Sequence, residues 1–136
     1  MKKAQAQTGF MLIEVMISVL IFSVGVIALV GLQAAMTRAQ SESKVRADAA
    51  NLAAELLGMI WADAANIASY ATASCASAPQ CAGWRNKVSL VLPSSGDSTV
   101  TVVPATGRVD VILTWTMPGG TPHQYTTSTI ITTNPP

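Results

Sequence analysis

The apolar residues of this chain are concentrated in one uninterrupted stretch near the N terminus, residues 10–32, which reads FMLIEVMISVLIFSVGVIALVGL. As a helix, these 23 residues would be about 35 Å long, enough to cross a bilayer core of about 30 Å. Glu14 is the single charged residue of the stretch. The pattern therefore predicts a membrane-spanning helix that carries a carboxylate near its start.

Beyond residue 32 the apolar residues become periodic, at steps of three or four over residues 33–70. The stripe consists of Val45, Ala49, Leu52, Leu56, Met59 or Ile60, and Ile67. Most charged residues fall off this stripe, so the membrane helix is predicted to continue as an amphipathic helix that packs on a small domain. A coiled coil is the alternative, which the short and alanine-rich stripe disfavours.

The C-terminal part of the chain alternates with a period of two instead. This alternation predicts three antiparallel strands within a β region at 98–133, namely residues 98–103, 108–116 and 124–133, with turns at 104–107 and 117–122. Residues 71–83 are predicted to form a loop. Residues 84–92 fit a short helix or a strand, and we favour the helix. The predicted fold class is α+β, a long N-terminal helix packed on a small antiparallel sheet.

The composition limits the chemistry of the chain. Its 136 residues leave about 100 for a domain after the membrane segment, and 8 Lys+Arg against 7 Asp+Glu give no basic run for nucleic acid. His123 is the only histidine, and its neighbour Pro122 predicts that it lies in a turn. With no phosphate-binding loop, nucleophile elbow or metal-ligand cluster in the sequence, we expect no enzymatic activity, no catalytic residues, no cofactor and no metal.

Cys75 and Cys81 both follow the membrane segment. We expect them to form a disulfide outside the cytoplasm, which closes a small loop and contributes about 2 kcal/mol. A metal site is disfavoured because no histidine is near the two thiols.

Residues 1–9 form a short leader that carries Lys2 and Lys3. The apolar stretch is too long for a secretory signal peptide, and the positive leader predicts a signal anchor with its N terminus in the cytoplasm. Glu14 is harder to explain, since a carboxylate at the centre of a membrane helix costs about 2.5–3.5 kcal/mol. It is either an interfacial residue without a role or a group that needs a cationic partner.

The arrangement of Lys2, Lys3, Gly9, Phe10 and Glu14 resembles the prepilin signature of type IV pilins and type II secretion pseudopilins. The resemblance implies a pilin-like fold and cleavage after Gly9 by a prepilin peptidase. It also implies N-methylation of the new N terminus at Phe10. Glu14 would then pair with the N terminus of a neighbouring subunit during docking into a filament.

Several further features resemble PilV-type minor pilins, among them the helix sequence at 47–57 and the order of a cysteine pair, Trp84 and a strand ending in Trp115. This resemblance implies a structural subunit of the type IV pilus that primes assembly in the inner membrane and is incorporated at or near the tip. The implied partners are other minor pilins, the major pilin, the inner-membrane assembly platform and a tip adhesin. Cell adhesion and twitching motility would depend on such a pilus.

Two other functions remain open from the sequence. A minor pseudopilin of a type II secretion system would share the signature and a similar fold. A DNA-uptake pilin would need a basic surface, for which Arg85, Lys87 and Arg108 are the candidates.

Overall fold

The structure is a computed structural model that describes residues 8–132, with side chains from residue 10 onward. Its elements are α1 (Thr8–Ala62), two 3-10 helices (Ala64–Tyr70 and Cys75–Ser77), α2 (Pro79–Val91), β1 (Asp97–Val103), β2 (Arg108–Thr116) and β3 (Pro122–Ile130). The fold is α+β as predicted, a long apolar helix followed by a three-stranded antiparallel sheet. The chain divides into two compact units, Met1–Ser41 and Glu42–Pro136, and α1 runs through both.

The core of the second unit lies between the last part of α1 and the sheet. Of the predicted stripe, Ala49, Leu52, Leu56 and Ile67 are buried there, whereas Val45 is only half-buried. Of the alternatives Met59 and Ile60, the residue in the core is Ile60. On the sheet side of this core, the alternating residues Val109, Val111 and Leu113 of β2 are fully buried. Trp84 of α2 closes the core, and its indole N–H donates a hydrogen bond of 2.8 Å to the carbonyl oxygen of Leu52. Because a buried indole needs such an acceptor, this bond fixes α2 against α1.

The sheet has the order β1-β2-β3, with both pairs antiparallel. β1 and β2 are joined by a turn at 104–107 as predicted, in which Gly107 has a φ of +67°. The third strand differs from the prediction of 124–133, since it begins at Pro122 and ends at Ile130, while Thr133 lies outside the described residues. Proline is compatible with this start because the first residue of an edge strand needs no ladder hydrogen bond.

The amphipathic helix is shorter than the predicted range of 33–70. α1 ends at Ala62, and the chain continues as a 3-10 helix, with the N–H of Asp63 shared between the carbonyl oxygens of Met59 and Ile60 at 3.1 and 3.2 Å. The carboxylate of Asp63 also accepts a hydrogen bond of 2.7 Å from Asn66. Such local side-chain bonds compete with the helix, so they end it despite the favourable alanines around them.

The predicted loop at 71–83 is partly helical, because it contains the second 3-10 helix and the first residues of α2. Pro79 occupies the first turn of α2, where its missing N–H costs nothing. The favoured helix at 84–92 is therefore present but begins earlier. Cys81, Trp84 and Val88 are its buried residues, and their spacing of three and four is helical rather than strand-like.

Candidate functional site

The first unit presents an apolar helical surface. Within the described residues, α1 is long and apolar enough to cross a membrane, and none of that stretch is buried inside the chain. Phe10, at the start of the apolar run, has 78% of its surface exposed. A soluble protein would hide such a surface, so the helix is compatible with a single-pass membrane anchor.

Glu14 lies one turn after Phe10 on this helix, and its side chain is exposed. Among the described residues, its carboxylate has no hydrogen-bond or ion-pair partner. The hydroxyls nearby are satisfied differently: the Oγ of Ser18 donates to the carbonyl oxygen of Glu14 at 2.8 Å, and that of Ser23 donates to Val19 at 2.7 Å. The helix thus provides for its own hydroxyl groups but not for the carboxylate.

The face of α1 that carries Glu14 has both small and large side chains, since Ile21 and Leu32 also lie on it. Helical periodicity places Ser18, Gly25 and Ala28 within about 40° of Glu14 around the helix axis. A Cβ added at Gly25 would meet nothing within 4 Å, and the same holds at Gly31, so the helix surface is open on this face as it is elsewhere in the apolar stretch. Small residues let membrane helices approach closely. A neighbouring helix could therefore come near to the carboxylate.

The structure places the other predicted site residues as follows. Gly9 and Phe10, at the predicted cleavage point, are consecutive residues in the first turns of α1. The leader lysines Lys2 and Lys3 lie outside the described residues. Cys75 and Cys81 form a disulfide in the second unit. The structure thus brings Phe10 and Glu14 onto adjacent turns of one helix and leaves the cysteines in a separate unit.

The connection between α1 and α2, residues 63–78, holds these two helices and β1 together, and the disulfide joins its Cys75 to Cys81 in the first turn of α2. Tyr70, in the same connection, is buried, and its hydroxyl lies 3.1 Å from Oε1 of Gln80 and 3.3 Å from Oδ2 of Asp63. Burial and the nearby Asp63 carboxylate raise the pKa of the Tyr70 phenol, so that it remains a proton donor. The connection therefore has a polar network on one side and the disulfide on the other.

Thr72 attaches this connection to the edge of the sheet. This residue was not identified from the sequence. Its N–H donates to the carbonyl oxygen of Val100 in β1 at 3.0 Å, and the N–H of Val100 donates to its Oγ1 at 2.7 Å. No local pattern marks this threonine, because its partner is 28 residues away.

Removing the disulfide tests how much the connection depends on it. The double variant Cys75→Ala/Cys81→Ala is expected to lose about 2 kcal/mol of the free energy of unfolding, since the open loop has more conformational freedom in the unfolded chain. Urea denaturation of the full chain in detergent, followed by the fluorescence of the buried Trp84 and Trp115, measures this loss.

Ser77→Ala is the matched control, because it alters an exposed residue of the same loop and keeps the disulfide. Alkylation of the unreduced wild-type chain should add no mass, and incorporation of label at either cysteine would contradict the assignment.

The three candidate cations for a DNA-binding patch are all paired with carboxylates. Nζ of Lys87 lies 2.7 Å from Glu55, a guanidinium nitrogen of Arg85 lies 3.4 Å from Asp97, and Arg108 binds Asp110 at 2.9 Å. Hydrogen bonding from Arg108 lowers the pKa of the Asp110 carboxyl, so that pair stays charged on both sides at neutral pH. Each of the three residues therefore has a carboxylate beside it, which reduces the positive charge that they would present to a phosphate backbone.

No metal centre is visible in the described part of the chain, where no group of three or more His, Cys, Asp or Glu side chains comes together. His123 is half-buried, and its ring stacks on that of Trp115 with the centroids 6.0 Å apart. This histidine therefore lies near the start of β3, not in the predicted turn, and packs on Trp115 of the neighbouring strand.

Comparison with protein-family models, with curated proteins and with solved structures finds no match to this chain. Any assignment of function therefore depends on the residues of α1 and on the architecture described above. The spacing of Gly9, Phe10 and Glu14, together with the α+β layout, is the evidence that bears on it.

Proposed function

We propose that this chain is a minor pilin of the type IV pilus, a structural subunit without enzymatic activity. In this proposal residues 10–32 first anchor the protein in the bacterial inner membrane, with the leader in the cytoplasm and the second unit in the periplasm. Prepilin peptidase removes residues 1–9, Phe10 is N-methylated, and the subunit passes into the filament. The apolar exposed surface of α1, its continuity into an α+β unit and the disulfide support this sequence of locations.

The single observation that carries the proposal is the carboxylate of Glu14 in an apolar helix, without a partner among the described residues. A lone charge in such surroundings is costly, whereas a paired one is much less so. Cleavage before Phe10 creates a cationic amino group one helical turn from Glu14 in the sequence. The side chain of Glu14 is exposed, so the amino group of a neighbouring subunit can reach its carboxylate, and the pair then forms between subunits.

The mechanism that follows is nucleation of a helical polymer. The first subunits must associate without an existing filament end, which makes this the slow step. Minor pilins that associate with one another in the membrane would supply this end to the major pilin, at the assembly platform. Because they assemble first, they would be found at or near the tip, where an adhesin could be carried.

Deleting the gene distinguishes the pilus from the type II secretion system, whose minor pseudopilins would share every feature of α1. We expect a deletion strain to lose most surface pili and twitching motility while secretion of exoproteins stays normal. Counts of sheared pili, twitching zones and exoprotein activity in the medium measure the three outcomes.

Expression of the full chain in the deletion strain is the control and should restore pili. Lost secretion with intact pili would contradict the pilus and favour the pseudopilin. A DNA-uptake role has no comparable support, because Arg85, Lys87 and Arg108 are paired with carboxylates.

A further inference from the structure

The two edges of the sheet differ in how their backbone groups are used. The N–H of Ile131 donates to the carbonyl oxygen of Gly107 at 2.8 Å, and this pair continues the β2–β3 register. In an antiparallel pair, residues that bond to the partner strand alternate with residues whose N–H and C=O point away. The residues of β3 whose backbone groups point away from β2 are therefore Gln124, Thr126, Ser128 and Ile130.

The other edge confirms this alternation. Applied to β1, it directs the backbone groups of Val100 away from β2, and these are the groups that Thr72 binds. The edge at β1 is therefore closed in its middle by the connection between α1 and α2. Along β3, by contrast, no described residue hydrogen-bonds to the outward groups.

β3 also lacks the features that usually protect an edge strand. It is nine residues long, reads PHQYTTSTI, and carries no lysine or other charged residue, and its only proline is at the first position. Edges are normally protected by charged side chains, by proline within the strand, or by a covering segment. An unprotected edge of this length is a template for another strand.

The inner face of β3 is incompletely covered as well. Val111 and Leu113 in β2 are fully buried, while their neighbours Thr127 and Tyr125 in β3 are only half-buried. The helical part of the core thus covers β2 more fully than β3. A strand added beside β3 would complete the burial of Tyr125 and extend the hydrogen-bonded sheet.

We propose that the free edge of β3 accepts an extended, uncharged segment of a different polypeptide as a fourth strand. The outward peptide groups of Gln124, Thr126 and Ser128 would bind its backbone. Its side chains would alternate, with an apolar one beside Tyr125 on the inner face and polar ones beside the exposed Thr126 and Ser128.

A second copy of this chain fits the edge poorly, for two reasons. A repeated contact between β3 of one copy and β1 of the next needs a free β1 edge, which Thr72 occupies. A symmetric antiparallel pair of β3 strands has its twofold axis perpendicular to the sheet, so the helical stretch 42–62 on the sheet face would run in opposite directions in the two copies. One membrane cannot receive both chains in that arrangement, an argument that rests on the proposed membrane anchorage.

Hydrogen exchange tests the proposal on the full chain, purified in mild detergent either alone or in its native complex from the producing bacterium. Residue-resolved mass spectrometry follows the amides of β3. In the complex, exchange at Thr126, Ser128 and Ile130 is expected to slow by more than about tenfold. The amides of Tyr125, Thr127 and Thr129 already bond to β2 and serve as an internal control that should not change.

Thr126→Pro removes one outward N–H and blocks the edge with its ring, yet breaks no bond to β2. It is expected to lower the yield of the partner polypeptide by more than about tenfold, whereas Thr126→Ala, which keeps the N–H, retains it. Unchanged tryptophan fluorescence shows that the variant folds, and Ser128→Pro replaces it if it does not.

The outcomes separate this proposal from the pilus function. Equal exchange in both states, full recovery of the partner by the proline variant, or a partner that proves to be a second copy of this chain would each overturn it. If deletion of the gene leaves pili normal while these amides are protected in the complex from the undeleted strain, the β3 edge is supported and the pilus function is refuted. Loss of pili on deletion without such protection would do the reverse.

Discussion

Replacing Gly107 with alanine is expected to destabilise the second unit by about 2–5 kcal/mol. Gly107 has a φ of +67°, which costs a residue with a Cβ about 1–2 kcal/mol. An added Cβ would also collide with the carbonyl oxygen of Ile131, a backbone atom held in place by the hydrogen bond between the same two residues. Relieving such a collision by moving backbone costs about 1–3 kcal/mol more.

For a domain of this size, that loss corresponds to a fall in the midpoint of thermal unfolding of about 10–40 °C. The measurement is thermal unfolding of the full chain in detergent, followed by the fluorescence of Trp84 and Trp115. A midpoint within a few degrees of the wild type would show that the turn and the end of β3 are not held together as described.

Gly119→Ala is the matched control for this experiment. Gly119 has nearly the same backbone conformation, with a φ of +70°, but a Cβ there would meet nothing within 4 Å. Only the conformational cost of about 1–2 kcal/mol remains. The difference between the two variants therefore measures the close approach of Gly107 to Ile131, separately from the cost of a positive φ.

Those parts of the fold that follow from burial on one side were predictable from the sequence. Leu52, Leu56 and Ile60 recur at helical spacing because one face of α1 is buried, and Val111 and Leu113 alternate because one face of β2 is buried. In both cases the period of the apolar residues records the geometry of the element directly.

The rest depended on contacts that leave no periodic pattern. α1 was predicted to reach residue 70 because alanine favours a helix, but the local hydrogen bonds of Asp63 and Asn66 end it at Ala62. The contact between Thr72 and Val100 joins segments 28 residues apart and depends on the tertiary fold. The strand order follows from the two predicted turns, but the closure of the β1 edge by Thr72 does not, so the difference between the two edges could not be expected.

The candidate site, unlike the fold around it, was identified from the sequence alone and stays a prediction. The spacing of Gly9, Phe10 and Glu14 is a property of the sequence itself and needs no contact to be recognised. What the structure adds is that Glu14 shares a helix face with Gly25, and that its carboxylate lacks a partner among the described residues. Both observations leave the carboxylate accessible to a cationic partner, as the proposed pairing requires.

Replacing Glu14 with alanine is expected to leave membrane insertion intact and to block entry into pili. Insertion should become easier, since the substitution removes the only charge between residues 10 and 32. Docking should fail, because the amino group of the neighbouring subunit would enter apolar surroundings without its partner. Breaking one side of a buried pair costs about 3–5 kcal/mol. Since about 1.4 kcal/mol corresponds to a factor of ten, the amount of this chain in sheared pili should fall by more than about tenfold.

The measurement compares the amount of this chain in the membrane fraction with its amount in sheared pili, in a strain whose only copy carries the substitution. Glu14→Gln should behave like Glu14→Ala, because the amide keeps the size of the side chain but not its charge. Ser18→Ala is the matched control, since it alters the next turn of the same face and removes only a hydroxyl bonded within the helix. Normal incorporation of Glu14→Gln would refute a charge pair and leave only a requirement for shape. Equal defects in Ser18→Ala and Glu14→Ala would show that the whole face matters rather than the carboxylate.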